Sequence, residues 1–156
     1  MNYRIEEREA FEVVVKAATV EMEEGKPNPI PALWEEFFSA GLADMVAPAL
    51  GVCGEMLPGS KKFRYGIGDF KRESHMVPEG FEVWSAPASS WAVFKCVGPM
   101  PKAIQEMWEK IHSEWMSNAE YEHASEIIDF ELYTQGDSSA ADYVSEIWLP
   151  VRMRLK

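Results

Sequence analysis

The stretch PMPKAIQEMWEKIHSEW, residues 99–115, decides the fold because it has an echo earlier in the chain. Residues 29–41 read PIPALWEEFFSAG, with the same proline-x-proline entry and the same tryptophan-bearing continuation. In the later copy Ile104, Met107, Trp108, Ile111 and Trp115 recur at i, i+3, i+4, i+7 and i+11. That amphipathic stripe predicts a helix over 101–116. In the earlier copy Ile30, Leu33, Trp34 and Phe37 predict a helix over 30–41, with Gly41 as its stop.

The echo continues outward from each helix. An extended run precedes each one, at 11–20 and at 90–97, and β-branched Val13, Val14 and Val15 strengthen the first. Two extended runs follow each helix. The first pair, 50–57 and 62–70, turns at Pro58-Gly59-Ser60. The second pair, 127–134 and 143–152, turns across Gln135-Gly136-Asp137-Ser138-Ser139. Further strands are expected at 3–8 and at 81–86, the latter turning at Pro87-Ala88-Ser89. The chain therefore reads as a tandem β-α-β-β repeat, an α+β fold with two helices on antiparallel sheet. A seam between two similar halves is where small-molecule pockets tend to form.

Composition narrows the function. At 156 residues the chain is expected to be one domain, residues 1–156, with room for a core. Acidic residues outnumber basic ones by 26 to 15, for a formal charge of −11. This argues against nucleic acid as a direct partner, since phosphate binding needs Lys and Arg. The cysteines, Cys53 and Cys96, form no C-x-x-C spacing, which fits a reduced cytoplasm. No signal core follows the charged N-terminus, and no run is long enough to span a membrane.

Standard catalytic motifs are absent: there is no G-x-S-x-G, P-loop, G-x-G-x-x-G or H-E-x-x-H. Gly66 and Gly68 fall inside a strand, where they mark a bulge or a close backbone approach. His75, His112 and His123 match no common zinc spacing, so neither metal nor cofactor is expected. Glu146 stands out. Alternation puts Val144, Glu146 and Trp148 on one face of the last and most apolar strand. That face is either solvated, or a pocket floor where a carboxylate and aromatic faces hold an organic cation. Trp91, Phe94, Tyr133 and Trp148 are the aromatics that could wall such a pocket. Trp108 and Trp115 read as helix core. Glu131, alternating with Asp129 and Tyr133, is expected on a wetter face.

Three segments carry a family resemblance. They are Gly80-Phe81-Glu82-Val83 through Trp91-Ala92-Val93-Phe94, then Gly98-Pro99-Met100-Pro101 through Met107-Trp108, and Asp142-Tyr143-Val144-Ser145-Glu146-Ile147-Trp148-Leu149-Pro150-Val151. In these the chain resembles the GyrI-like small-molecule-binding domain, which is also the effector-binding half of some AraC-type and MerR-type multidrug-responsive regulators. The resemblance runs from Tyr3 to Arg152. It implies pseudo-twofold symmetry and a central ligand groove, with a glutamate of the final strand meeting lipophilic cations there. The matching position is Glu146, with Trp91 and Trp148 among the walls. The regulators carry a helix-turn-helix domain before this one. With two residues ahead of Tyr3, a stand-alone module is expected.

Two uses of the groove follow. The first is a binding module for an aromatic, lipophilic cation, by sequestration or sensing. The alternative is a hydrolase of electrophilic small molecules, with Glu146 as the catalytic base. A third reading, also implied by the resemblance, is a protein-interaction role with DNA gyrase as partner. Fold resemblance alone does not assign either of the latter two.

Overall fold

The computed structural model describes residues 2–23, 25–56, 61–73, 76–117 and 120–154. The elements run β1 (Arg4–Arg8), β2 (Phe11–Glu21), α1 (Ile30–Ser39), β3 (Leu50–Met56), β4 (Lys62–Phe70), β5 (Glu82–Ala86) and β6 (Ser89–Val97). They continue with α2 (Lys102–Ser113), β7 (Tyr121–His123), β8 (Asp129–Tyr133) and β9 (Val144–Met153). The expected turn at Pro58-Gly59-Ser60 and His75 lie outside the described residues.

The strands form a single antiparallel sheet in the order β1-β6-β9-β8-β3-β4-β2-β5, with β7 added on β9. Read from the β8–β3 junction outward, the order is β8-β9-β6-β1 on one side and β3-β4-β2-β5 on the other. The two sides match strand for strand, so the echo in the sequence is a repeat in space. β5 completes the first half and β1 completes the second. β1 and β2 lie toward opposite ends of this order but are joined by Glu9-Ala10 alone, so the sheet must curl. Phe11 of β2 accordingly meets Trp91 of β6 at 5.8 Å and Phe130 of β8 at 5.9 Å.

The curl sorts the core into an inner and an outer layer. Inside the curl Val13, Val15, Leu50, Val52, Trp91, Val93, Phe130 and Trp148 pack together. On the outer face the helices lie as two covers. Ile104 and Ile111 of α2 pack on Ala92, Phe94, Ile147 and Leu149. Phe37 of α1 packs with Val14, Val20, Tyr65 and Ile67. Val13-Val14-Val15 is buried throughout because the inner and outer layers take alternate members. Burying each large apolar side chain in these layers stabilises by about 1.5–3 kcal/mol.

Both helices are shorter than the expected 30–41 and 101–116. α1 stops at Ser39, and Gly41 at φ 73° starts a 3-10 turn, Leu42–Asp44. α2 stops at Ser113, and Trp115 reaches the core from a separate 3-10 turn. Gly66 and Gly68 mark close approach rather than a bulge. The β2–β4 register is unbroken, and a Cβ on Gly68 would sit 1.9 Å from the Val14 carbonyl oxygen.

Candidate functional site

The β3–β8 junction is the floor between the two helices. In its register Gly51 faces Glu131 and Cys53 faces Asp129. Phe130 and Leu132 of β8 pack into the inner layer, so Asp129, Glu131 and Tyr133 point to the helix-covered face. Each helix sends its echo tryptophan to this floor. Trp108 of α2 donates its indole N–H to Glu131 Oε2 at 2.7 Å. Trp34 of α1 donates to the Tyr65 hydroxyl at 2.9 Å and meets the Tyr133 ring edge-on at 5.1 Å. The Tyr133 hydroxyl donates to Glu131 Oε1 at 2.5 Å. Gly51 leaves room for this gathering: a Cβ there would lie 2.3 Å from the Tyr65 hydroxyl and 3.3 Å from Glu131 Oε1.

The electrostatics follow from enclosure. Burial pushes the Glu131 carboxyl up, and the Tyr133 and Trp108 hydrogen bonds oppose that shift. Burial drives Asp129 to about 7, against a hydrogen bond from Cys53. The Tyr65 and Tyr133 hydroxyls are held protonated well above their ordinary range, first by burial and then by the Glu131 charge. Among the described residues Glu131 has no Lys or Arg in ion-pair range. The site is thus a largely desolvated carboxylate among aromatic rings, without a counter-cation among the described residues.

The expectation that Glu131 lies on a wetter face is corrected here. The charged edge of β8 is covered by the two helices, and its carboxylate is enclosed by Trp108 and Tyr133. The reading of Trp108 as core alone is corrected with it, because its indole N–H serves the floor.

The five residues expected to wall one site fall on two faces. Tyr133 is on the outer, helix-covered face, against Trp34. Phe94 is on the outer face too, but sealed under α2 between Tyr3 and Trp115. Trp91, Glu146 and Trp148 belong to the inner face. Trp91 is fully buried, and Trp148 stacks on Phe130 at 5.5 Å. Glu146 accepts from Arg4 at 3.0 Å and from the Trp148 indole at 3.1 Å, and its side chain is 17% exposed. Arg8 caps the same face, 4.5 Å from the Phe11 centroid, 4.6 Å from Phe70 and 5.5 Å from Trp148. The signal that could have found Glu131 was the pairing of Trp34 with Trp108, since both helices present an indole to one junction.

No group of three or more His, Cys, Asp or Glu side chains among the described residues is placed to hold a metal ion. Nor is any helix among them long and apolar enough to cross a membrane.

Comparison with known proteins agrees with this fold. The chain is 31% identical to the transcriptional regulator BrlR of Pseudomonas aeruginosa over 97% of its own length. It spans about half of that regulator, 56%. It superposes on SAV2435, solved bound to tetraphenylphosphonium, with a TM-score of 0.82 and 26% identity, covering 97% of this chain and 94% of that one. An integron cassette protein from Vibrio cholerae shares the fold at a TM-score of 0.72 and 18% identity, covering 96% and 95% of the two chains. The model of the GyrI-like small molecule binding domain matches residues 1–152, and the chain belongs to that family.

Proposed function

We propose that this domain binds a lipophilic aromatic monocation in the groove between α1 and α2, with Glu131 as its charge partner. Trp34, Trp108, Tyr65 and Tyr133 supply the ring faces. The observation that carries the reading is a half-buried carboxylate, hydrogen-bonded to Trp108 and Tyr133, with aromatic neighbours and no ion-pair partner among the described residues. Such a group is costly to desolvate alone and favours an incoming cation. The relative solved with tetraphenylphosphonium supports the same ligand class. As the effector-binding part of a regulator or as a sequestering module, the domain would use this groove in the same way.

The test uses two ions of one shape. Titration of Trp fluorescence with tetraphenylphosphonium and with tetraphenylborate should show micromolar binding of the cation, on the order of −8 kcal/mol. The borate should bind at least tenfold more weakly. Equal affinity for both would remove the electrostatic part of the reading.

A second reading is hydrolysis of an electrophilic ligand in the same groove. One observation favours it. Asp129 stands beside Glu131 with its carboxyl raised to about 7, a range suited to a general base near neutral pH. Incubation with a cyclopropane-bearing electrophile, followed by mass, separates this reading from binding alone. Unchanged substrate mass would exclude it.

A further inference from the structure

Beyond Glu131, the groove floor holds a second polar cluster built from three strands. Asp129 of β8, Cys53 of β3 and His123 of β7 converge there. Cys53 faces Asp129 in the strand register and donates its thiol hydrogen to it. His123 Nε2 lies 3.9 Å from Asp129 Oδ2. Asp129 Oδ1 and His123 Nε2 are both shut off from solvent and have no hydrogen-bond partner among the described residues. Buried polar atoms are ordinarily paired, so an unpaired carboxylate oxygen on Asp129 and an unpaired imidazole nitrogen on neighbouring His123 point to a missing occupant. Asp129 and Glu131 are alternate residues on one strand face, which sets their backbone positions roughly 7 Å apart.

We propose that Asp129, with Cys53 and His123, is a second charge station that receives the far cationic centre of a short, rigid aromatic dication. The proposal rests on Glu131 as the partner of the first centre. The ligand class follows from the spacing: two carboxylates on one covered face, with aromatic rings around the nearer one. It also predicts a proton signature. The titratable groups facing Asp129 are Cys53 on β3, His123 on β7, Tyr65 on β4 and Glu131 on its own strand, with His112 of α2 behind His123. None of these brings a fixed positive charge, so Asp129 keeps a share of its proton near neutral pH. A cation arriving beside it expels that proton.

The experiment compares N,N′-dimethyl-4,4′-bipyridinium, a dication, with N-methyl-4-phenylpyridinium, a monocation of the same outline. Each is titrated calorimetrically at pH 7 in two buffers of different ionisation enthalpy. The dication should bind about 10- to 100-fold tighter, the range for hydrogen bonds and contacts to a charged group. It should also release on the order of half a proton more than the monocation. In Asp129→Asn the dication should fall to the level of the monocation, and the extra proton release should vanish. Equal wild-type affinities, equal proton release for the two ions, or a D129N protein that keeps the dication's advantage would each overturn the proposal. The wild-type comparison decides even if the variant does not fold. Failure of the Glu131 reading is distinct: the monocation would then bind Glu131→Gln as tightly as wild type.

Discussion

Glu146 and Glu131 each accept a hydrogen bond from a tryptophan indole, and they have opposite surroundings. Glu146, inside the curl, accepts from the Trp148 indole and is paired with Arg4 at 3.0 Å. Glu131, outside the curl and under the helices, accepts from the Trp108 indole and the Tyr133 hydroxyl and meets no cation among the described residues. Arg4 and Arg8 both lie over the Trp148 ring, so the inner face already holds its cations. The outer face has the same components without them. On the proposed reading, the carboxylate that meets no cation among the described residues is the one whose counter-charge the ligand brings.

The comparison can be broken most forcefully at Gly51. Gly51→Ala places a methyl group 2.3 Å from the Tyr65 hydroxyl, so the floor of the outer groove must shift. Overpacking of this kind costs about 1–3 kcal/mol, read as a lower urea midpoint. Cation affinity should fall with it, because Tyr65 and Glu131 line the displaced floor. A variant of unchanged stability and affinity would show that the Tyr65 hydroxyl does not occupy that place.

A second test uses pH. The folded pKa of Asp129 is raised from 3.8 to about 7. Between those values the folded protein retains a proton that the unfolded chain has released. This contribution to stability is therefore fully present below about pH 4 and is lost as pH rises toward 7. Asn cannot ionise, so Asp129→Asn should gain stability relative to wild type on going from pH 5 to pH 8. The same difference at both pH values would mean that Asp129 ionises freely in the fold.

The smallest effect belongs to the inner face. Arg4→Ala removes the partner of Glu146 from a half-exposed pair, with Arg4 46% exposed. The expected loss of stability is about 1 kcal/mol or less. Cation affinity at the outer groove should not change. A large drop in affinity would tie the inner face to ligand binding.

Much of this architecture is legible in the sequence. The repeated proline entry, the helical stripes and the period-two strands specify two helices on one sheet, and the strand order repeats as the echo requires. Alternation also grouped Val144 with Glu146 and Trp148, and Asp129 with Glu131 and Tyr133. Alternation does not say which face of a strand the rest of the chain covers. Phe130 and Leu132 give β8 one apolar edge, so alternation by itself assigns the acidic edge to water. Both edges of β8 are at least partly covered, Phe130 fully and Asp129, Glu131, Leu132 and Tyr133 in part. Tyr121–His123 is not legible in the sequence, because a three-residue strand carries almost no periodicity. Trp34 and Trp108 sit at matching places in their helices, and their shared role needs the sheet register to be seen.

The most direct measurement is a paired titration of Glu131→Gln and Glu146→Gln with tetraphenylphosphonium. Both substitutions keep shape and remove charge. Loss of the Glu131 charge should weaken binding by about 1.5–3 kcal/mol, the range for a partner of a charged group. It should leave folding stability equal or higher, because a desolvated carboxylate is relieved. The Glu146 substitution should change affinity by no more than about 0.5 kcal/mol. A Glu131→Gln protein that binds the cation like wild type, while Glu146→Gln loses it, would place the site on the inner face and contradict the account.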